Sequence, residues 1–462
     1  MWRSLLLACL ATVCLGRPAW AQDASGQSGR GTLVSPHVPS SANRSAGAVQ
    51  RASESVATAS APDPAASATP ATQSKPTTSG GDCGAGSSAC DRIAKLCGGP
   101  GRARGKDDCG WVRAEYLLWS VQGGVLPALV VRDDPGTPRA AVGLPATPGR
   151  QVLFGESRLN DEMRSGFRIA GGVWLGDSDR LGISGDVFYL GSNSDGARFS
   201  SSGDPPLSRP FFNTTTGTAD AELVSFPGVL SGSVAASERN TFVGAGGFIQ
   251  YALRCGGDTC HSWRVDLLAG YRYYGLNDDL RIQEELLATG AGPVPAGTSI
   301  IVADRFRTEN TFNGGLVGLS GGARYRSWSF DLRVGAAFGS LRRELLIEGI
   351  TTVQSLGAVP VASRGGLLAQ SSNIGSFSSE TFTVVPEFGL TVGVRLADGV
   401  SLTAGYTFLY MPNTWRAGDQ IDQAINPAQI RGVVIPGGRP QPTFASTGTV
   451  VNGLNIGLAL QY

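Results

Sequence analysis

The sequence predicts an all-β fold, a closed antiparallel transmembrane β-barrel of about ten strands. Three observations favour this class: an apolar segment at the amino terminus, side chains that alternate with a period of two beyond Trp111, and short and long connections that follow one another along the chain. After residue 21 no apolar run reaches the roughly 18 residues that a spanning helix needs. A closed barrel is the other structure that satisfies every backbone polar group in a bilayer.

Residues 1–21 have the pattern of a secretory signal peptide. Arg3 precedes an apolar run from Leu5 to Leu15, and Ala19-Trp20-Ala21 is a small-x-small cleavage pattern. Residues 22–82 are rich in Ala, Ser, Pro and Thr, and such a segment cannot bury enough apolar surface to offset its ordering entropy. We therefore predict an exported chain with a disordered arm ahead of a barrel at 111–462.

The composition excludes one class of partner. Charged residues make up 16% of the chain, against about 25% in soluble domains. The net charge is +1 and no Lys/Arg stripe stands out, so nucleic acid is not an expected partner.

Ten segments carry the alternation that is typical of strands with one apolar face. In the clearest of them, Val400, Leu402, Ala404 and Tyr406 alternate with small or polar residues. The predicted strands are 111–119, 164–175, 181–190, 240–253, 262–274, 313–325, 328–338, 382–396, 400–410 and 454–462.

The connections between these strands alternate in length. The long ones are 120–163, 191–239, 275–312, 339–379 and 411–452, and the short ones are 176–180, 254–261, 326–327 and 397–399. Outer-membrane barrels have long extracellular loops and short periplasmic turns. The sequence thus predicts the bacterial outer membrane as location, with outer-membrane lipid as surroundings and five long loops outside.

Two alternatives stay open at this point. A soluble β-sandwich has the same alternation, although five long loops on one side are uncommon in compact domains. Segments 278–286 and 299–307 also have strand character, so twelve strands are an alternative to ten. We expect these two segments to form a hairpin that rises above the membrane.

Aromatic residues lie near the ends of the predicted strands, where barrels carry interfacial girdles. They are Trp111, Trp119, Trp263, Tyr273, Trp328, Phe338, Tyr410 and Tyr462. Tyr462 also ends a strand in which Leu460 and Leu458 share its parity, which resembles the signal that outer-membrane assembly machinery recognises. We expect that machinery to be a partner.

Six cysteines follow the predicted signal peptide, and an exported chain is expected to oxidise them. Cys83, Cys90, Cys97 and Cys109 lie in the segment 83–110, where we expect a periplasmic location, and their pairing is left open. Cys255 and Cys260 are close enough to bridge one turn. The spacings of the first four do not match zinc modules, so no metal site is expected.

The chain offers little catalytic chemistry. Its two histidines are His37 in the predicted arm and His261 in a short turn, so a histidine base is missing at the outer rim. We expect no enzyme and no cofactor, with an outer-membrane enzyme as a distant third alternative.

The inward parity of the predicted strands carries twelve charged residues. They are Arg113, Glu115, Arg164, Arg168, Asp186, Arg264, Asp266, Arg272, Asp331, Arg333, Glu387 and Arg395. They favour a weakly anion-selective constriction, or else an interior filled by Arg–carboxylate pairs, since narrow barrels have filled interiors.

Several ordered motifs resemble the β-barrel porin family abundant in Planctomycetes, across residues 111–462. The matching stretches are 111–119, 268–273, 309–315 and 405–410, followed by the most specific one, Trp415-Arg416-Ala417-Gly418-Asp419-Gln420-Ile421-Asp422. The resemblance implies a barrel that passes small hydrophilic solutes; the alternative is a structural or surface-recognition barrel that acts through its loops. We expect Arg416, Gly418, Asp419, Gln420 and Asp422 to form a folded-in loop, with Arg416 paired to Asp419 or Asp422 at the mouth of the lumen.

Overall fold

The computed structural model describes residues 110–462, apart from 159, 176–179, 258–260, 291, 431, 434 and 436–437. The described residues all belong to the unit Asp82–Tyr462. The predicted signal peptide, the arm and the cysteines Cys83, Cys90, Cys97 and Cys109 lie outside the described residues. Cys260 does too, so its pairing with Cys255 stays a prediction.

Sixteen strands form the described part of the chain. They are β1 (Gly110–Val121), β2 (Val130–Arg132), β3 (Gln151–Phe154), β4 (Arg164–Leu175), β5 (Leu181–Ser201), β6 (Leu207–Asn213), β7 (Thr218–Ser225), β8 (Leu230–Gly257), β9 (His261–Ala288), β10 (Ser299–Tyr325), β11 (Trp328–Gln354), β12 (Val361–Arg364), β13 (Gly375–Ala397), β14 (Val400–Thr414), β15 (Ala424–Ile425) and β16 (Thr447–Gln461).

Ten of these strands form a large ring-like antiparallel sheet. The order of pairing is β1, β4, β5, β8, β9, β10, β11, β13, β14 and β16, and β16 pairs again with β1. Each predicted strand corresponds to one of the ten. Pro386 lies in β13, one residue before Glu387, which is the first residue of β13 that pairs with β14. The missing N–H of Pro386 therefore costs no hydrogen bond to β14.

The strands are longer than predicted at one end. At the turn end, the strands are joined by 176–180, 258–260, 326–327 and 398–399. At the loop end, the connections are 122–163, 202–229, 289–298, 355–374 and 415–446. The predicted long loop 275–312 is mostly strand, because β9 and β10 continue as one hairpin up to residues 289–298. Segments 278–286 and 299–307 therefore extend these two strands and do not add a further pair.

The side-chain pattern inverts along each long strand, and β9 shows it clearly. Near the turn end, the outward Trp263 and Leu267 are apolar and exposed. Beyond Tyr273 the outward side chains include the charged Arg281, while the inward Leu280 and Ile282 are buried. An apolar exterior suits lipid and a polar exterior suits water, so the inversion places the edge of the lipid-facing surface near Tyr273.

The turn-end half of the ring carries a band of apolar side chains on its outer surface. Its exposed members include Phe167, Ile169, Val187, Ile249, Leu267, Val317, Phe330, Leu332, Leu390, Leu402, Ile456 and Leu458. Trp263, Trp328, Phe338, Tyr410 and Tyr462 are also exposed, as expected for girdle residues.

Two of the predicted girdle residues point the other way. Trp119 is 1% exposed and packs against the inward ring of Phe188, and Trp111 lines an interior cavity. Both residues lie on the same face of β1 as the inward Arg113, so the alternation along β1 already indicates that they point inward.

A second, five-stranded sheet fills the loop end of the ring. This plug sheet consists of β15, β6, β2 and β3 in that order, with β7 paired to β6. Val130, Phe211 and Val224 of the plug sheet pack in one core with Ile282 and Phe306 of the ring. We call this cluster the loop-end core. Among the described residues, no helix is long and apolar enough to span a membrane.

Candidate functional site: the interior of the ring

A cavity of about 320 Å³ lies inside the turn-end half of the ring. Trp111, Arg324, Ser401 and Gln461 line it close to the short turns, and Tyr274 lines it on the far side. Its charged lining residues are Arg113, Arg168, Arg264, Arg272, Arg324, Arg333, Asp186, Asp266, Asp331 and Glu387. The structure thus brings together nine of the twelve charged residues that the alternation predicted, and adds Arg324.

Arg272 is the centre of the ion pairs in this cavity. Its guanidinium donates to Glu387 through Nε and Nη2, at 3.0 and 2.8 Å, and to Asp186 through Nη1 at 2.8 Å. Arg333 lies 3.5 Å from the other oxygen of Asp186. Bidentate charge-assisted bonds of this kind are the strong ones, so they tie β5, β9 and β13 together across the interior.

A second set of pairs lies on β1, β4 and β9. Arg168 donates to Glu115, and Arg113 lies 3.4 Å from the same carboxylate. Arg264 pairs with Asp266 at 2.8 Å and stacks over the ring of Trp174.

Three predicted interior charges behave differently. Arg164 donates to Asn240 above the cavity, and Arg395 is exposed near the turn end. Asp331 is exposed to the cavity and makes no ion pair within 4.0 Å in the described part of the chain.

An inner apolar layer closes the interior above the cavity. It contains Leu117, Trp119, Phe188, Leu190, Phe242, Tyr274, Leu276, Phe312, Leu316, Leu341, Val385, Leu409, Met411 and Val451. Phe242 stacks on Tyr274 with 5.7 Å between ring centroids, and Phe312 is fully buried beside them. Polar interiors are expected in water-filled barrels, so this layer marks a filled interior.

The Trp415–Asp422 motif is folded into the ring above that layer, as predicted, but the expected partner of Arg416 was wrong. Arg416 is 1% exposed and its Nε donates to Asp278 at 2.6 Å. Its Nη1 donates to the carbonyl oxygen of Gln122. Asp278 lies on β9 and is distant in sequence, which is why local reasoning chose Asp419 or Asp422.

The other residues of the motif hold the segment in place. A Cβ at Gly418 would lie 2.9 Å from the backbone carbonyl oxygen of Val125 and 2.4 Å from a methyl carbon of Leu126, so the close approach to the backbone favours glycine. Asp419 accepts from the Thr447 hydroxyl at 2.6 Å, and Gln420 donates to a backbone carbonyl at 2.8 Å. Asp422 accepts from Arg439 at 2.8 Å.

A buried polar cluster in the loop end was missed by the sequence reasoning. Arg209 of β6 pairs with Glu284 and, at 2.8 Å, with Asp304. Burial raises the pKa of the nearby Glu222, and repulsion from Glu284 raises it further. The strand-like segment 278–286 contains Glu284, but only the fold shows that this side chain faces Arg209.

Glu238 is a second buried acid in this region. Burial raises its pKa to about 8, with a further contribution from the negative charge of Asp278. Asn160 donates to one of its oxygens at 3.2 Å, while the other has no hydrogen-bond partner among the described residues. Glu238 is therefore largely protonated at neutral pH.

A ten-stranded antiparallel ring with an apolar outer band and a charged interior defines a protein of the outer-membrane β-barrel class. The chain belongs to the family described as "Putative beta barrel porin-7 (BBP7)", whose model matches residues 111–462. This confirms the family resemblance that the motifs indicated.

Solved structures with a similar outline include the outer membrane protease OmpT from Escherichia coli. It is 9% identical, with a TM-score of 0.33, and the match covers 79% of this chain and 99% of that one. The toluene transporter TodX of P. putida is 7% identical, with a TM-score of 0.17 and coverage of 77% and 91%. Among curated proteins, none matches the chain.

Proposed function

We propose that the chain is a closed outer-membrane β-barrel that is sealed at rest and that serves as a structural or surface-recognition protein through its loop end. The filled interior carries this proposal: the inner apolar layer lies above the cavity, and the plug sheet and the loop-end core lie above that layer. An interior without a continuous polar path does not support free diffusion of solutes.

The surface of the loop end supports the recognition part. The connection 355–374 exposes Leu356 to 85% and Val359 to 83%, beyond strands that are longer than the roughly 9–11 residues needed to cross a bilayer. Exposed apolar groups of this kind often mark contact sites. Outside the cell, they are available to another surface protein.

Porin-like passage of small hydrophilic solutes is the second candidate. The charged cavity favours it, because rings of charged side chains select ions in channels. Passage would require the inner apolar layer and the plug sheet to move.

Planar-bilayer recordings of the purified full-length chain separate the two candidates. A sealed barrel gives no stable conductance at moderate voltage, and proteoliposomes do not swell in arabinose. Stepwise conductance in most insertions would reject the sealed barrel and favour the porin. Insertion is checked independently by protease protection of the reconstituted protein.

An enzymatic role is not part of the proposal. In the part of the chain that the structure describes, the histidine is His261 at the turn end, far from the loop end where an external substrate would arrive. The proposed surroundings are outer-membrane lipid, with the assembly machinery as a transient partner.

A further inference from the structure

We propose that the turn-end cavity is a binding site for a small organic anion, a carboxylate that carries a compact aromatic or aliphatic body. This inference goes beyond the proposed function, since a cavity that binds a ligand does not depend on conduction or on contacts at the loop end. Its volume of about 320 Å³ is at the lower end of the range for small-molecule pockets.

The charge of the cavity favours an anion. Six arginines but only four carboxylates are among the residues that line the cavity. Glu115 lies outside this lining but pairs with Arg168, and when its negative charge is also counted, one positive charge remains in excess. Arg324 forms no ion pair within 4.0 Å with any described residue. Asp331 faces the same space, and the positive charges of Arg113 and Arg324 offset it.

Unpartnered donors indicate where the carboxylate binds. Nε and Nη2 of Arg333 are buried and have no hydrogen-bond partner in the described part of the chain, and Nε of Arg113 lies 3.4 Å from Glu115 without forming a hydrogen bond. The Asp186 oxygen nearest to Arg333 is 3.5 Å away, beyond a good charge-assisted bond. A buried donor without a partner is costly, and a ligand carboxylate beside Arg333 removes that cost after a small side-chain shift.

Apolar surface in the cavity accounts for the body of the ligand. The guanidinium of Arg333 lies 4.1 Å from the ring centre of Phe248, and Trp111 and Leu268 also line the space. An aromatic or short aliphatic group fits against these side chains, while an inorganic anion leaves them uncovered.

Calorimetry with benzoate on the full-length protein in detergent tests the site, and benzamide is the uncharged probe of the same shape. We expect saturable binding of benzoate and at least tenfold weaker binding of benzamide, since charge-assisted hydrogen bonds are lost. Arg333→Gln is expected to weaken benzoate by about tenfold or more. Asp186 remains paired to Arg272 in this variant, so folding is preserved.

Arg395→Gln is the matched control, because Arg395 is exposed near the turn end outside the cavity lining; its affinity for benzoate should equal that of the wild type. Equal binding of benzamide and benzoate, or unchanged affinity in Arg333→Gln, would overturn the proposal. So would tighter binding of phenylalanine than of benzoate, because that result indicates a zwitterion site that also uses Asp331. Arg113→Gln provides a second, independent variant with the same expected loss.

Discussion

Arg416 of the loop motif and Asp278 of β9 form a fully buried ion pair, with 2.6 Å between Nε and Oδ2. Asp278 also accepts from Asn240 on β8, and the Arg416 guanidinium reaches the carbonyl of Gln122 just after β1. The pair thus joins the connection 415–446 to opposite parts of the ring. It explains how a loop far from β9 in sequence becomes part of the filled interior.

Arg416→Gln should lower the free energy of unfolding by about 3–5 kcal/mol, because Asp278 is then left buried without its partner. Chemical unfolding in detergent, followed by circular dichroism, measures the loss. The double variant Arg416→Gln/Asp278→Asn should recover part of it. Arg281→Gln, at an exposed pair, should cost less than about 1 kcal/mol; an equal cost at both sites would contradict the buried pair.

Glu238 should make stability fall as pH rises. Its pKa is about 8 in the folded chain and close to 4.5 in the unfolded chain. Between these two pH values, Glu238 ionises only in the unfolded chain. The contribution of Glu238 to the free energy of unfolding is therefore greatest below about pH 4.5 and is lost as pH rises through 8, by at most about 1.4 kcal/mol for each pH unit.

Glu238→Gln should remove this dependence. Between pH 5 and pH 8, the thermal midpoint of the wild type should fall relative to that of Glu238→Gln. The difference, variant minus wild type, should therefore grow with pH. Glu348→Gln, at a half-exposed carboxylate, serves as control and should leave the wild-type profile intact. Parallel profiles of Glu238→Gln and the wild type would show that Glu238 is ionised in the folded chain.

The inner apolar layer should be a major source of stability. Phe312 is fully buried in it, and Phe312→Ala should cost about 3–5 kcal/mol. Phe330→Ala removes the same ring from the outer band, where it is 45% exposed, and should cost clearly less in detergent. Unfolding midpoints of the two variants measure the difference, and a larger loss for Phe330→Ala would mean that the interior is loosely filled.

Protease access should distinguish the two ends. A specific cleavage site inserted between Gly357 and Ala358 should be cut on intact cells, because the neighbouring Leu356 and Val359 are highly exposed. The same site inserted at Asp398 should be protected, because that short turn is expected on the periplasmic side. The reverse result would invert the topology.

Tyr462 should matter for assembly. Its backbone N–H and C=O bond to Gly110 at 3.0 and 2.9 Å, where β16 meets β1. Deleting Tyr462 should reduce the amount of folded barrel in the outer membrane more than removing the residues before Asp82. Tyr325→Ala, at an exposed aromatic of the turn end, provides the control. Equal membrane levels for the Tyr462 deletion and the arm truncation would refute a special role of Tyr462.

The fold class was predictable because alternation in the outer band is imposed by one local requirement, an apolar face toward lipid. The bounds of β4 follow directly from this alternation, and the four short turns from the breaks in it. The loop-end extensions of β8 to β11 were not predictable by the same rule. In these extensions the apolar side chains face inward and the charged ones outward. In β9, for example, the alternating pattern with apolar outward residues stops near Tyr273.

The sequence by itself determined the ring of strands, the turn and loop ends, the family motifs and the inward direction of residues such as Arg272 and Glu387. Only the tertiary structure decided that Arg416 pairs with Asp278, that β2, β3, β6, β7 and β15 form a plug sheet, and that Phe242 and Phe312 fill the interior. The physical reason is range: alternation reflects the environment of each strand, whereas partners across the interior depend on which strands face one another once the ring is formed.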